Sequence, residues 1–373
     1  MLKVALIGCG KIADSHASQI GRIPASEIVA ACDREPLMAY QLAQRFPVKE
    51  CFTDLAEMLR KSRPDVVHIT TPPESHFDVA TCCLQAGCHV YVEKPFALNA
   101  HQTESLLRFA SQKKLKITAG HDDQFSHAAR RMRALVRSGF LGEGPVHMES
   151  YYGYELGRTG YAGAVLGDKQ HWVRKLPGKL LQNVISHGIA RIAEFLSSDR
   201  PQVFAYGFVS PLLKKLGETE LIDELRVVIL EEGRTAYFTF SSQMRPSLHL
   251  FRIYGSSNGL VLDHDQETLI KLRGSHFKSH LQKFLPPLLF AGQYLGNLSS
   301  NVKTFLARDF HMKSGMKYLI ESFYGSIREG TPDPIPHREI LLTARIMDEI
   351  FDQLERGEKW AGASGRIDLQ IAK

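Results

Sequence analysis

The sequence predicts an α/β chain: a doubly wound parallel sheet at the N-terminus, followed by an α+β domain on an open, mainly antiparallel sheet. Three observations carry this. A short apolar strand runs directly into a glycine turn at Leu2–Ala13, strand and helix patterns alternate to about residue 120, and a later series of strand candidates is separated by short turns.

Leu2-Lys-Val-Ala-Leu-Ile7 has the composition of a buried parallel strand, and Gly8-Cys9-Gly10-Lys11-Ile12-Ala13 follows it with helix-compatible sequence beyond. This is a G-x-G-x-x-A motif. Gly8 permits the tight turn, Gly10 lets the backbone approach a pyrophosphate, and Ala13 lets the helix pack closely on the strand. The backbone N–H groups from Cys9 to Ile12 then face the phosphates at the helix N-terminus. A second strand, Glu27–Asp33, ends in a carboxylate about 20 residues beyond the glycines, where Asp33 accepts hydrogen bonds from an adenosine ribose. That charge favours NAD, and the neighbouring Arg34 keeps NADP open.

Further strands are expected at 65–69, 88–92 and 115–119, with helices at 54–61, 76–86 and 100–112 between them. Ligands of such a sheet sit beyond the carboxyl ends of its strands, which is where Gly8, Asp33, Thr70, Thr71, Pro72, Glu93, Lys94 and His121 fall. Lys94 closes a strand about 80 residues after the glycine turn, which places its ammonium beside a nicotinamide.

In the second half, strands are expected at 146–152, 203–209, 225–230, 235–240, 248–254, 259–262 and 268–272. The imperfect alternation of Tyr237-Phe238-Thr239-Phe240 suggests that both faces of this sheet are covered, one by helices and one by another subunit. Leu181 to Leu196 reads as a single helix, with Asn183, His187 and Arg191 on one face and Leu181, Val184, Ile185, Ile192 and Phe195 on the other. The expected divisions are 1–122 for the dinucleotide-binding domain, 123–336 for a substrate and oligomerisation domain, and 337–373 for a terminal helix that returns towards the first domain.

At 373 residues with 44% hydrophobic and 23% charged residues, the chain is long enough for two cores, and its net charge of +6 is too small and dispersed to argue for nucleic acid. The six cysteines (Cys9, Cys32, Cys51, Cys82, Cys83, Cys88) lack zinc-type spacing and read as reduced thiols of a cytoplasmic protein; no metal is expected.

Taken together, Gly8–Ala13, Asp33, Thr70-Thr-Pro-Pro73 with His76, Glu93-Lys-Pro95, and a central helix with Asn183 and His187 resemble the Gfo/Idh/MocA family of oxidoreductases. The resemblance implies a Rossmann domain and a second domain whose open sheet forms homodimers or homotetramers. It also implies hydride transfer between NAD and a sugar, cyclitol or nucleotide sugar, and a Lys94 that touches both substrate and cofactor, with the bond to Pro95 often cis. His76 and Asp122 map to the cofactor side, and His187 to the helix histidine.

The residues support this chemistry on their own terms. Oxidising an alcohol carbon needs a base for the hydroxyl proton and a cation for the developing alkoxide. His187 suits the first task and Lys94 the second, with the reverse assignment also open, and Asn183 orients the imidazole. Tyr154, Trp172 and Arg174 are further substrate-side candidates. The chain departs from the family where a helix aspartate is usual, since Asn183-Val-Ile-Ser-His187 lacks that carboxylate. Ala190 replaces a common acid, and Gly120-His-Asp-Asp-Gln-Phe125 replaces a Gly-x-Asn-x-Arg-Phe pattern. An NAD-binding regulator that moves no hydride is therefore the alternative reading.

One segment stands outside the resemblance. Ser275 to Lys317 holds six lysines or arginines against the single acid Asp309, around the apolar, proline-broken run 284–295. Packing on the sheet or on a neighbouring subunit is the favoured expectation, with peripheral membrane contact through 284–295 as the lesser one.

Overall fold

The computed structural model describes residues 1–156, 161–274, 277–278, 280–310 and 313–363. Strands β1 (Leu2–Ile7), β2 (Ser26–Cys32), β3 (Glu50–Phe52), β4 (Val66–Ile69), β5 (His89–Val92) and β6 (Ile117–Ala119) form a parallel sheet in the order β3-β2-β1-β4-β5-β6. Val4–Leu6, Ala30, Ala31, Val66, Val67 and Val90–Val92 are sealed on both faces, which is why these strands read as unbroken apolar runs. β3 escaped the sequence pattern because three residues are too few to show a period. All six cysteines are unpaired thiols.

The winding reverses between β1 and β4, and the crevice there is the ligand site of such sheets. Close approach at that point demands glycine. Gly8 has φ +86°, and a Cβ on it would lie 2.7 Å from the Thr71 backbone nitrogen. Thr70 Oγ1 donates to the Ile7 and Gly8 carbonyls at 3.0 and 2.6 Å, tying the two strand ends together.

The second sheet has seven strands: β7 (Pro145–Gly153), β8 (Gln202–Phe208), β9 (Glu224–Glu231), β10 (Arg234–Ser241), β11 (His249–Gly255), β12 (Asn258–Asp263) and β13 (Thr268–Arg273), in the order β13-β12-β11-β7-β10-β9-β8. All neighbours are antiparallel except β7 and β10. Its inner face buries Met148, Phe238, Phe240, Phe251 and Ile253. The helix carrying His187 is fastened to this face: Ser150 Oγ donates to the Gly188 carbonyl at 3.0 Å, and a Cβ on Gly188 would meet the Phe238 ring at 2.2 Å. The outer face leaves Phe204, Tyr206 and Tyr237 exposed.

Three sequence expectations change. The single helix over 181–196 is two, Lys179–Val184 and Ser186–Ala193, meeting at Ile185, and its polar row points into the molecule, with His187 9% and Arg191 3% exposed. Helix Ser314–Glu329, assigned above to the second domain, packs Met316, Leu319, Ile320, Phe323 and Tyr324 into the core of the first sheet. The final helix, His337–Ala363, straddles both domains: Asp348 accepts from the Ala100 nitrogen at the start of helix Ala100–Gln112, and Gln353 bonds Val203 and Ala205 of β8.

Candidate active site

The carboxyl ends of β1, β2 and β4 build a nucleotide cradle. Gly10 is the extended residue before helix Lys11–Ile20, whose first turn has no side-chain cap, and a Cβ on Gly10 would meet nothing within 4 Å. An uncapped helix start with open space at Gly10 fits a pyrophosphate. Lys11 is exposed and Ile12 half-buried beside them. Asp33 Oδ2 accepts from the Cys9 nitrogen at 2.7 Å and Oδ1 from the Glu35 nitrogen at 3.0 Å, so the carboxylate is fixed against the glycine turn with the exposed Arg34 next to it. Burial, with help from Asp33, pushes the Cys9 thiol up to about 12, so it remains protonated.

Not every cofactor candidate points into this cradle. Thr70 spends its hydroxyl on the backbone. His76 is fully buried, its ring nitrogens each 2.9 Å from a carbonyl oxygen, of Pro95 and of Thr71, so it braces the two loops instead of facing a ligand. Thr71 is half-buried and Pro72 exposed on the loop above β4.

Glu93 and Lys94 follow β5, and the Lys94–Pro95 bond is cis. Glu93 is anchored by a buried relay. Its Oε1 lies 2.8 Å from His16 Nε2, His16 Nδ1 lies 2.8 Å from His68 Nδ1, and His68 Nε2 lies 2.8 Å from the Tyr324 hydroxyl. Burial and the neighbouring His16 hold His68 well below its ordinary value. One proton arrangement satisfies every pair: Tyr324 donates to His68, His68 to His16, and His16 to the carboxylate. Burial alone would raise the Glu93 pKa, but the His16 hydrogen bond and the charges of His16, Lys94 and His187 outweigh it and bring Glu93 to about 2. Lys94 is half-buried and donates from Nζ to the Asn183 carbonyl at 3.0 Å. Desolvation lowers its pKa against the opposing pull of Glu93, Asp122 and Asp123. Asn183 thus meets the lysine through its main chain.

His187 faces two carboxylates. Its Nδ1 lies 3.8 Å from Asp122 Oδ1 and 3.9 Å from Asp123 Oδ2, and it is buried with no hydrogen-bond partner among the described residues. Asp123 is also ion-paired with Arg191. Burial brings His187 down to about 4, with Lys94 and Arg191 adding to the effect and Asp123 opposing it, so the ring is neutral at pH 7. Burial raises both carboxyls as well. At Asp123 the charges of His187 and Arg191 win and hold it well below the usual range, whereas Asp123's own charge helps lift Asp122 to about 7. The pair is thus poised with one proton to exchange near neutrality. His121, T-shaped to His187 at 6.1 Å, is held near 3 by burial and by His187.

These carboxylates answer the loss at Asn183. They come from the short turn after β6, so the charge missing from the helix arrives from another segment. Asp123 and Arg191 were not assigned a role from sequence; the doubled acid directly after a strand-end glycine was the available signal. Of the substrate-side candidates, Tyr154 is half-buried near Tyr152, which stacks on Arg191. Trp172 stacks on His171. Arg174 is committed elsewhere: its guanidinium pairs with Glu218 and bonds the Val165 and Leu166 carbonyls.

Residues 2–121 match the oxidoreductase family model with an NAD-binding Rossmann fold, Gfo/Idh/MocA. A D-glucoside 3-dehydrogenase of Escherichia coli is 33% identical over 38% of this chain and 41% of its own length. A myo-inositol 2-dehydrogenase of Thermotoga maritima is 19% identical over 84% and 89%. The first domain is thus similar to the NAD-binding domain of the Gfo/Idh/MocA oxidoreductases. The whole chain shares its fold with a solved dehydrogenase: WlbA from Bordetella pertussis, solved with NADH and UDP-GlcNAcA, superposes with a TM-score of 0.75 at 15% identity, over 95% of this chain and 96% of that one. The chain matches only 41% to 48% of the length of curated relatives such as the Escherichia coli enzyme and a Sphingobium dehydrogenase, and the family match itself lies in the first domain.

Proposed function

We propose that this protein transfers a hydride between NAD(H) and a hydroxyl-bearing carbon of a sugar, cyclitol or nucleotide sugar. The supporting observation is the cluster itself: a neutral His187 within 4 Å of two carboxylates, in the charge field of Lys94, next to a glycine turn built for pyrophosphate. The names of the relatives, a glucoside and an inositol dehydrogenase, agree with that substrate class.

NAD, when bound, supplies the hydride acceptor. Gly8 to Ile12 hold its phosphates and Asp33 its adenosine ribose. His187 takes the hydroxyl proton, and Lys94 stabilises the oxygen as negative charge develops on it. Ionised Asp123 stabilises the resulting imidazolium, and Asp122, with its midpoint near 7, passes the proton on. The regulator reading drew its strength from the missing helix carboxylate, and Asp122 and Asp123 restore that charge. The exposed aromatic outer face of the second sheet supports a homodimer or homotetramer.

The test is cofactor reduction, read as NADH absorbance, across a panel of sugars, cyclitols and nucleotide sugars. A substrate-dependent rise that Lys94→Met abolishes, with NAD affinity retained, is the expected result. Tight NAD binding with no turnover on any substrate class would favour the regulator.

A further inference from the structure

Helix Leu281–Leu306 is amphipathic in the inverse sense. It continues through Pro286 and Pro287, so the run expected to be proline-broken forms one helix of 26 residues. Its polar side is the side that packs on the protein. Gln293 exchanges two hydrogen bonds with the Lys271 backbone (2.7 and 3.1 Å), Asn297 two with Leu269 (both 3.0 Å), and Asn301 donates to the Gln266 carbonyl (3.0 Å). These amides satisfy the open edge of β13, the last strand of its sheet.

The opposite side is left bare. Phe284, Leu288, Leu295, Leu298, Val302 and Phe305 lie on one meridian at helical spacing and are 47% to 70% exposed. Together they form a continuous exposed apolar strip, the kind of surface that marks an interaction site.

Charge decides what covers it. Lys278, Lys283, Lys303, Arg308 and Lys313 are exposed around this helix, and the only acid of the segment, Asp309, is already held by Lys317 and Tyr318. Lys283 and Lys303 flank the apolar meridian, each about 100° from it. A second copy laid antiparallel on this face would bring Lys283 against Lys303, with no acid of the segment free to pair with either. An anionic headgroup layer meets both features, taking apolar side chains below and cations at the phosphates. No helix of the described residues is long and apolar enough to cross a membrane, so this one would lie in the interface plane.

We propose that Leu281–Leu306 seats the protein on the surface of an anionic lipid bilayer. The experiment is co-sedimentation of the full chain with phosphatidylcholine vesicles, alone or mixed with phosphatidylglycerol. Two variants accompany it, the triple Phe284→Glu/Leu295→Glu/Phe305→Glu and the double Lys283→Glu/Lys303→Glu, with NAD binding as the check that both remain folded. The expected result is at least about tenfold tighter binding to phosphatidylglycerol vesicles than to phosphatidylcholine, weakened by salt and lost in both variants. Absence of binding to phosphatidylglycerol vesicles would overturn the proposal, as would binding unchanged by the triple variant. If the wild type ignores vesicles and the triple variant lowers the oligomeric state in sedimentation velocity, a second copy is the occupant and the lipid proposal fails.

Discussion

Asp122→Asn isolates the most unusual charge in the site. Asp122 titrates near 7 instead of 3.8, because it is buried beside ionised Asp123. A carboxyl raised in the folded state favours folding fully below its unfolded pKa, and that advantage is lost as pH climbs through the folded value. Asp122 therefore costs nothing near pH 4, and progressively more up to about pH 7, where the penalty levels off. The shift is about three units at about 1.4 kcal/mol each, which sets a ceiling of about 4 kcal/mol. Relaxation around the coupled pair lowers this, and we expect about 2 kcal/mol or more. Asn cannot ionise, so the variant should match the wild type near pH 4 and exceed it in stability by that margin above pH 7. Urea unfolding of both proteins across this range measures the difference, and subtraction cancels the titrating groups that do not sense Asp122. A difference that stays flat with pH would refute the buried, proton-holding Asp122.

Asp123→Asn removes the charge that stabilises a protonated His187 and leaves Arg191 unpaired; kcat should fall about 100-fold or more with NAD affinity kept, and a loss under threefold in steady-state assays would contradict the role. Gly8→Ala must accommodate φ +86° and a Cβ 2.7 Å from the Thr71 backbone, so denaturant unfolding should show a loss of about 2 kcal/mol or more. Gly10→Ala, facing open space, should leave stability nearly unchanged and weaken NAD instead. Asp33→Ser should raise the KM for NAD about tenfold while narrowing the gap to NADP, measured with both cofactors.

Both sheets, apart from the three-residue β3, were legible because their strands show an apolar run or an alternation within a few consecutive residues. Gly8, Gly10 and Asp33 stood out in the sequence by their spacing, and the structure brings them together at one strand-end turn. What local pattern could not show was convergence. His187 looked deprived of its carboxylate because Asn183 is its helical neighbour, yet Asp123 reaches it from 64 residues away in the chain. Arg191 looked like a solvent-side polar residue for the same reason: a polar stripe opposite an apolar one reads alike whether it faces water or an interdomain cleft. His16 and His68 gave no signal, since a buried histidine, whether on helix Lys11–Ile20 or on β4, shows its meaning only once Glu93 and Tyr324 are beside it. Helix Ser314–Glu329 was misplaced because an apolar stripe does not name the sheet it covers.

The account rests on Lys94 and His187 acting together on one substrate hydroxyl. Its most direct test is the turnover of a substrate found in the NADH panel, compared among wild type, Lys94→Met, His187→Ala and the double variant, with NAD affinity measured in each. The prediction is that each single variant loses nearly all turnover, the double loses little more, and NAD still binds. Near-wild-type turnover in the double variant would place the chemistry elsewhere.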